Sequence, residues 1–215
     1  MANFVIAGDT SGTVTLQAPA VSGTTTLTLP TTSGTVLTTA TGQTLTSPTI
    51  TGAVVSSMAS SVITSSTAQA TTSGTSVTFS SIPSWVKRIT VMFNGVSTSG
   101  SSDVIVQLGS GSTTTTGYLC QKIYSTGTSI NNATATNCIS GLVTNNASDT
   151  KYGHSVITNV SGNIWVATSS DTSYNSMFGW SAGGITLGGT LDRVVITTAN
   201  GTDTFDAGSI NILYE

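Results

Sequence analysis

Charged side chains are scarce in this sequence. Of its 215 residues, only 6% are Asp, Glu, Lys or Arg, against roughly a quarter in a typical soluble domain. The formal net charge of −3 excludes the basic field with which proteins attract nucleic acid or an anionic membrane. Disordered chains usually carry many charges, so the low charge content also argues against disorder.

Long apolar runs and a secretory leader are missing as well. No stretch approaches the roughly 20 apolar residues of a membrane span, and the opening MANFVIAGDT has neither the basic start nor the apolar core of a signal peptide. We therefore expect that the protein does not insert into a membrane and that it is assembled in a cytoplasm. In that reducing compartment the only two cysteines, Cys120 and Cys138, are expected to stay free thiols.

Patterns for catalysis and metal binding are equally sparse. One histidine, His154, and two distant cysteines do not make a zinc set, and no loop has calcium spacing, so we expect no metal and no cofactor. The stretch GWSAG, residues 179–183, matches a nucleophile elbow, but His154 precedes Ser181 instead of following it. Five acidic residues within two positions of Gly, Ser, Thr or Asn are interpreted as turn residues: Asp149, Asp171, Asp192, Asp203 and Asp206. We expect no enzymatic activity.

Serine and threonine, by contrast, exceed a third of the sequence, and they dominate an N-terminal repeat region, residues 1–45. Ser-Gly-Thr recurs there at positions 11, 22 and 33, a period of 11 residues, with Pro19 and Pro30 in matching places. Alternation of apolar residues with threonine predicts short strands, and glycine and proline mark the turns. Each unit is too short to enclose a core, so the repeats are expected to stack on copies in other chains.

A connector, residues 46–74, follows the repeats. It has modest apolar spacing, and no ionisable side chain occurs between Asp9 and Lys87. The connector is either a Ser/Thr-rich linker or a neck in which three chains wrap around one axis, where an unpaired buried charge would be costly. Its composition leaves open whether it is extended or includes a short helix around residues 53–63.

The remaining residues, 75–215, have the pattern of a packed all-β domain. About ten short alternating segments are separated by Gly, Ser, Asn and Asp, which favours a β-sandwich or jelly roll. Asn94-Gly95 is predicted to be a hairpin turn. The expected core consists of Phe79, Ile89, Val91, Phe93, Val104, Val106, Leu108, Val194, Ile196, Ile210 and Ile212.

The tandem SGTVTLQAPAVSGTTTLTLPTTSGTVLT followed by GQTLTSPTITG resembles the N-terminal arms of tailed-bacteriophage fibre and virion-surface proteins. IPSWVKRITVMFNGVSTSG and the terminal FDAGSINILYE are similar to a C-terminal β-domain of such proteins. The resemblance implies a homotrimer whose N-terminal arms attach to phage tail or capsid proteins and whose C-terminal domain projects outward from the virion. It implies no catalytic residues.

A cluster of aromatic and amide side chains is the candidate binding site. Trp165, Tyr174, Phe178 and Trp180 fall within sixteen residues, with Tyr152 and His154 upstream. Trp165, in the alternating NIWVAT, is expected in the core, because large rings dominate cores, and His154 is interpreted as a structural histidine. Stacking of rings on a sugar, with amides bonding its hydroxyls, makes five residues candidates for glycan binding: Tyr152, Tyr174, Trp180, Asn146 and Asn175.

Two functions remain open at this point. The first is a trimeric fibre whose outer domain binds host-surface polysaccharide. The second is a capsid decoration, or cement, protein that stabilises the head without binding a receptor. Exposed rings in a groove would favour the first function, and a flat polar outer surface would favour the second.

Overall fold

The computed structural model describes residues 3–7, 13–17, 63–173 and 177–215, the first two ranges as backbone only. The chain divides into two compact units, Met1–Val55 and Ser56–Glu215. In the first unit, β1 (Asn3–Ala7) pairs antiparallel with β2 (Thr13–Gln17). The alternating apolar residues of the first repeat thus form a strand, as predicted. The other repeats and most of the connector lie outside the described residues.

In the described part of the second unit, strands are the only regular secondary structure. The described residues contain no helix that is long and apolar enough to span a membrane. The strands are β3 (Thr64–Ser65), β4 (Gln69–Ala70), β5 (Ser76–Ser80), β6 (Arg88–Thr98), β7 (Val104–Ser110), β8 (Ser112–Thr113), β9 (Leu119–Thr126), β10 (Ser129–Ala135), β11 (Ser140–Leu142), β12 (Lys151–Ser161), β13 (Ile164–Ser173), β14 (Met177–Thr186), β15 (Arg193–Thr198) and β16 (Phe205–Tyr214). The prediction of an all-β domain is confirmed.

These strands form two antiparallel sheets. The larger, nine-stranded sheet has the order β10-β9-β14-β13-β12-β6-β16-β3, with β4 also pairing with β16. The smaller, five-stranded sheet has the order β11-β7-β15-β5, with β8 pairing with β7. Because β3 and β4 belong to the large sheet, the last residues of the expected connector are part of this unit.

One continuous hydrophobic core joins the two sheets in a sandwich-like arrangement. Val106, Leu108 and Ile196 of the small sheet belong to the same buried cluster as Ile89 and Val91 of the large sheet. All eleven residues expected in the core are buried. Period-two alternation identified them because successive side chains of a strand point to opposite faces. Trp165, also expected in the core, is 4% exposed.

Asn94-Gly95 is not a hairpin turn, so that prediction was wrong. Strand β6 continues through it to Thr98, and Gly95, at a φ of +63°, is the extra residue of a β-bulge. The register shows the bulge directly: Lys151 pairs with Val96, and Tyr152 pairs with Asn94. A turn and a glycine bulge require the same positive φ, and the local sequence does not distinguish them.

Candidate functional site

The face of the large sheet that points away from the core is the candidate site, here called the outer face. On β9, β10, β12, β13 and β14 it carries no Asp, Glu, Lys or Arg side chain. The three charged residues of these strands, Lys122, Lys151 and Asp171, are all buried on the opposite face. This distribution is inverted relative to ordinary domains, in which charged residues are almost never buried.

Large apolar side chains occupy the outer face instead. Trp180 is 53% exposed and Phe178 is 40% exposed, because both have the same phase of the alternation in β14. Their rings pack edge to face with centroids 4.2 Å apart, and the edge-to-face orientation is one that aromatic pairs prefer. Ile123, directly across from Trp180 on β9, is also exposed. We call Ile123, Phe178 and Trp180 the aromatic patch.

A shallow depression of about 310 Å³ adjoins the aromatic patch. Its lining combines Trp180 and Ile123 with the polar side chains of Gln121 and Thr168. A ring beside amide and hydroxyl groups offers both a stacking surface and hydrogen-bond partners. Phe178, Gln121 and Thr168 were not among the predicted contacts, although the alternation of β14 would have placed Phe178 beside Trp180.

The predicted site residues do not form one cluster. Tyr152 is exposed on β12, but Thr172 of β13 lies between it and Phe178, a separation of two strands or about 10 Å. The Tyr152 hydroxyl instead covers Gly95, where an added Cβ would be 3.3 Å from it. His154, two residues after Tyr152 on β12, is also exposed on the outer face, so it is not an interior residue.

The amide residues contribute less than predicted. Asn146 is exposed in the loop before β12, where its backbone N–H donates to Asp149 Oδ2 at 3.2 Å. It is therefore a loop residue outside the strands of the outer face. Tyr174 and Asn175 lie outside the described residues, so their predicted roles stay predictions.

The interpretation as turn residues was wrong for Asp171 and Asp206, which lie within β13 and β16. Asp149 is buried, but it does lie in the loop before β12, where its Oδ2 accepts the backbone N–H groups of Asn145 and Asn146. Asp149 forms an ion pair with Lys151 at 3.6 Å. Asp171 lies within β13, and burial raises its pKa to about 6, although attraction to Lys151 opposes this shift. Burial likewise lowers the pKa of Lys151. The serine and threonine that flank Asp171 resembled a turn, but Asp171 lies within β13, which directs its side chain inward.

A row of hydroxyl groups continues this polar interior. Ser155, Ser169 and Ser181 are directly opposite one another on β12, β13 and β14. Ser181 Oγ lies 2.6 Å from Ser169 Oγ and accepts the Gly141 N–H at 3.1 Å. Ser181 of the GWSAG stretch is thus buried in mid-strand, whereas a nucleophile elbow needs an exposed serine at a strand-to-helix turn.

The described part of the chain contains neither a cluster of metal ligands nor a disulfide. No group of three or more His, Cys, Asp or Glu side chains has the proximity to hold a metal ion there. Cys120 and Cys138 are buried, free thiols that pack with Ile105.

No protein-family model matches the chain, and searches of curated proteins and of solved structures found no significant match.

Proposed function

We propose that this protein is a structural component of a tailed-bacteriophage virion, a homotrimer whose N-terminal arms attach it to the particle. The proposal rests on the uncharged repeats, which have too little apolar surface to close a core within one chain. In this proposal the sandwich domain projects outward and contacts host-surface glycan. It has no catalytic role.

The observation that carries the glycan part is the outer face of β9, β10, β12, β13 and β14, which has no Asp, Glu, Lys or Arg side chain and has exposed rings. Trp180 and Phe178 present flat apolar surfaces to solvent, and a neutral sugar stacks on such surfaces without requiring a countercharge. Each direct hydrogen bond would add only about 0.5–1.5 kcal/mol. A single site is therefore weak, and three sites on a trimer would raise the effective affinity by roughly 10²–10⁴.

A capsid decoration protein is the second candidate. The outer face is not the polar surface expected for that function, but its aliphatic part supports a contact with another protein. Leu119 is 66% exposed, Val166 is 43% exposed and Ile164 is 41% exposed. Aliphatic groups of this kind suit burial against another protein more than contact with a sugar. In that case the same face would pack on a neighbouring capsid subunit.

One experiment separates the two functions. Phe178 and Trp180 are replaced together by alanine, and adsorption of the purified protein to host cells is measured beside a matched control, Trp85→Ala. Trp85 is 54% exposed but lies before β6 and packs on Tyr214. Loss of adsorption in the double variant alone supports glycan binding. Native protein that never adsorbs, but is found on phage heads, supports the decoration function.

The oligomeric state is tested independently by mass measurement in solution. We expect about three times the chain mass of 21.6 kDa. A variant lacking residues 1–45 should keep its folded sandwich and fail to enter particles, because the arms are the proposed attachment. A full-length monomer at micromolar concentration contradicts the trimer, and incorporation of the shortened chain contradicts attachment through the arms.

A further inference from the structure

A cleft of about 210 Å³ opens at one end of the sandwich, apart from the outer-face depression, with which it shares no residue. The loop between β5 and β6 forms one wall, and the turn between β12 and β13 forms another. The loop that precedes β15 completes it. The polar and aromatic residues that matter for its chemistry are Ser84, Lys87, Asn159, Asn163, Trp165 and Thr190.

Among the described residues that line this cleft, Lys87 is the only one with a charged side chain. Its Nζ donates to Asn159 Oδ1 at 3.4 Å, and among the described residues no carboxylate forms an ion pair with it. The adjacent Arg88 differs, because Glu215 neutralises it at 3.2 Å. The cleft therefore presents an ammonium group without a countercharge.

Asn159 lies beside this exposed ammonium group and is itself held by backbone contacts. The Asn159 amide Nδ2 donates to Gly162 O at 2.9 Å and to Ile164 O at 3.2 Å, which closes the turn. Its backbone N–H donates to Lys87 O at 2.8 Å. Asn159 is thus a positioning residue, because its own amide hydrogens are already used and only its oxygen faces Lys87.

Trp165 supplies a second unsatisfied donor. It lines the cleft with 4% of its surface exposed, and its indole Nε1 has no hydrogen-bond partner. Tryptophan N–H groups usually find a partner when they are buried. Because Nε1 itself is buried, a ligand oxygen would reach it only if the indole shifted towards the cleft.

We propose that the cleft binds a small carboxylate-bearing ligand about the size of one sugar ring, such as a uronic acid. The Lys87 ammonium group is a donor, and the Ser84 and Thr190 hydroxyls that line the cleft can donate too, so the cleft selects a ligand rich in acceptors. A carboxylate adds the countercharge that Lys87 lacks. The volume lies below the roughly 300–1,000 Å³ of drug-sized pockets, which limits the ligand to a single small ring.

The test compares glucuronate with glucose, which has the same ring but no carboxylate. Replacing Trp85 and Trp180 by phenylalanine in the full-length protein leaves Trp165 as the sole tryptophan of three, so its fluorescence reports on the cleft. Glucuronate should change the emission saturably, and glucose should bind about tenfold more weakly or worse. Calorimetry of the unsubstituted protein repeats the comparison without the tryptophan replacements.

Two matched variants assign the effect to Lys87. Lys87→Gln should weaken glucuronate binding about tenfold or more, whereas Arg88→Gln should change it less than about twofold, since Arg88 is paired and does not line the cleft. Equal binding of glucose and glucuronate overturns the proposal. So does equal loss in the two variants, unchanged binding by Lys87→Gln, or no saturable binding of glucuronate.

Discussion

Asp171 provides the sharpest physical test of this structure. Its side chain is 6% exposed, and its Oδ1 has no hydrogen-bond partner. Space for it comes from Gly179 on the next strand, where an added Cβ would lie 2.8 Å from that oxygen. Burial raises the pKa of Asp171 from 3.8 to about 6, opposed by the charge of Lys151 and supported by that of Asp103.

The sign of the resulting pH dependence follows from linkage. Because the folded protein holds this proton more tightly than the unfolded chain, ionisation of Asp171 opposes folding. Below pH 3.8 the group is protonated in both states and imposes no penalty. Stability is lost as the pH rises from about 4 to 6, and above pH 6 the full penalty applies. Two pKa units correspond to about 3 kcal/mol as an order of magnitude.

Asp171→Asn should therefore stabilise the protein near neutral pH. Asparagine keeps the size of the protonated acid and cannot ionise, so we expect the free energy of unfolding at pH 7.5 to rise by up to about 3 kcal/mol. At pH 3.5 the gain should vanish. Lys151 retains Asp149 as its ion-pair partner at 3.6 Å. Urea unfolding followed by tryptophan fluorescence between pH 3.5 and 8 measures both quantities.

Asp206→Asn serves as the control, because Asp206 is exposed on β16 and the asparagine oxygen can still accept the hydrogen bond from the Ser97 hydroxyl. Its replacement should change stability by less than about 1 kcal/mol. If Asp171→Asn destabilises the protein at pH 7.5, the ionised carboxylate is stabilised by Lys151 more than burial penalises it. The reasoning would also fail if the variant kept the wild-type loss of stability between pH 4 and 6.

Three other predictions concern the backbone and the thiols. Gly208→Ala should lower the free energy of unfolding by at least about 3 kcal/mol, because φ is +92° and the new Cβ would lie 2.4 Å from a backbone oxygen of β6. The control Gly201→Ala, at a φ of +71° in open space, should lower it by only about 1 kcal/mol, and equal losses for the two variants in urea titrations would contradict the clash. Ser81→Gly should stabilise by about 1 kcal/mol in the same assay, since Ser81 has a φ of 60°; a loss of stability would show that its side chain matters more than its backbone. Alkylation of the denatured, unreduced protein should add two groups, at Cys120 and Cys138, which are both free; a mass without added groups would reveal a disulfide.

The amino-acid sequence by itself determined the fold class and much of the core. Phe79, Val106 and Ile212 are buried as expected, because period-two alternation marks the inward face of a strand whatever its neighbours are. The alternation in NIWVAT also placed Trp165 in the core, where it is buried, but alternation was not what made Trp180, which is exposed, a candidate for the surface. These properties are local, so they can be recognised in short segments.

Tertiary structure decided what depends on partners distant in the sequence. Gly95 became a bulge instead of a turn because β12 and β16 continue alongside β6 past that point. Asp171 became a buried acid because β13 lies between two strands whose glycines leave room for it. Tyr152 and Trp180 are both exposed, yet β13 separates them, and only strand order fixes that distance. Lateral neighbours in a sheet come from remote segments, so short-range sequence patterns do not specify them.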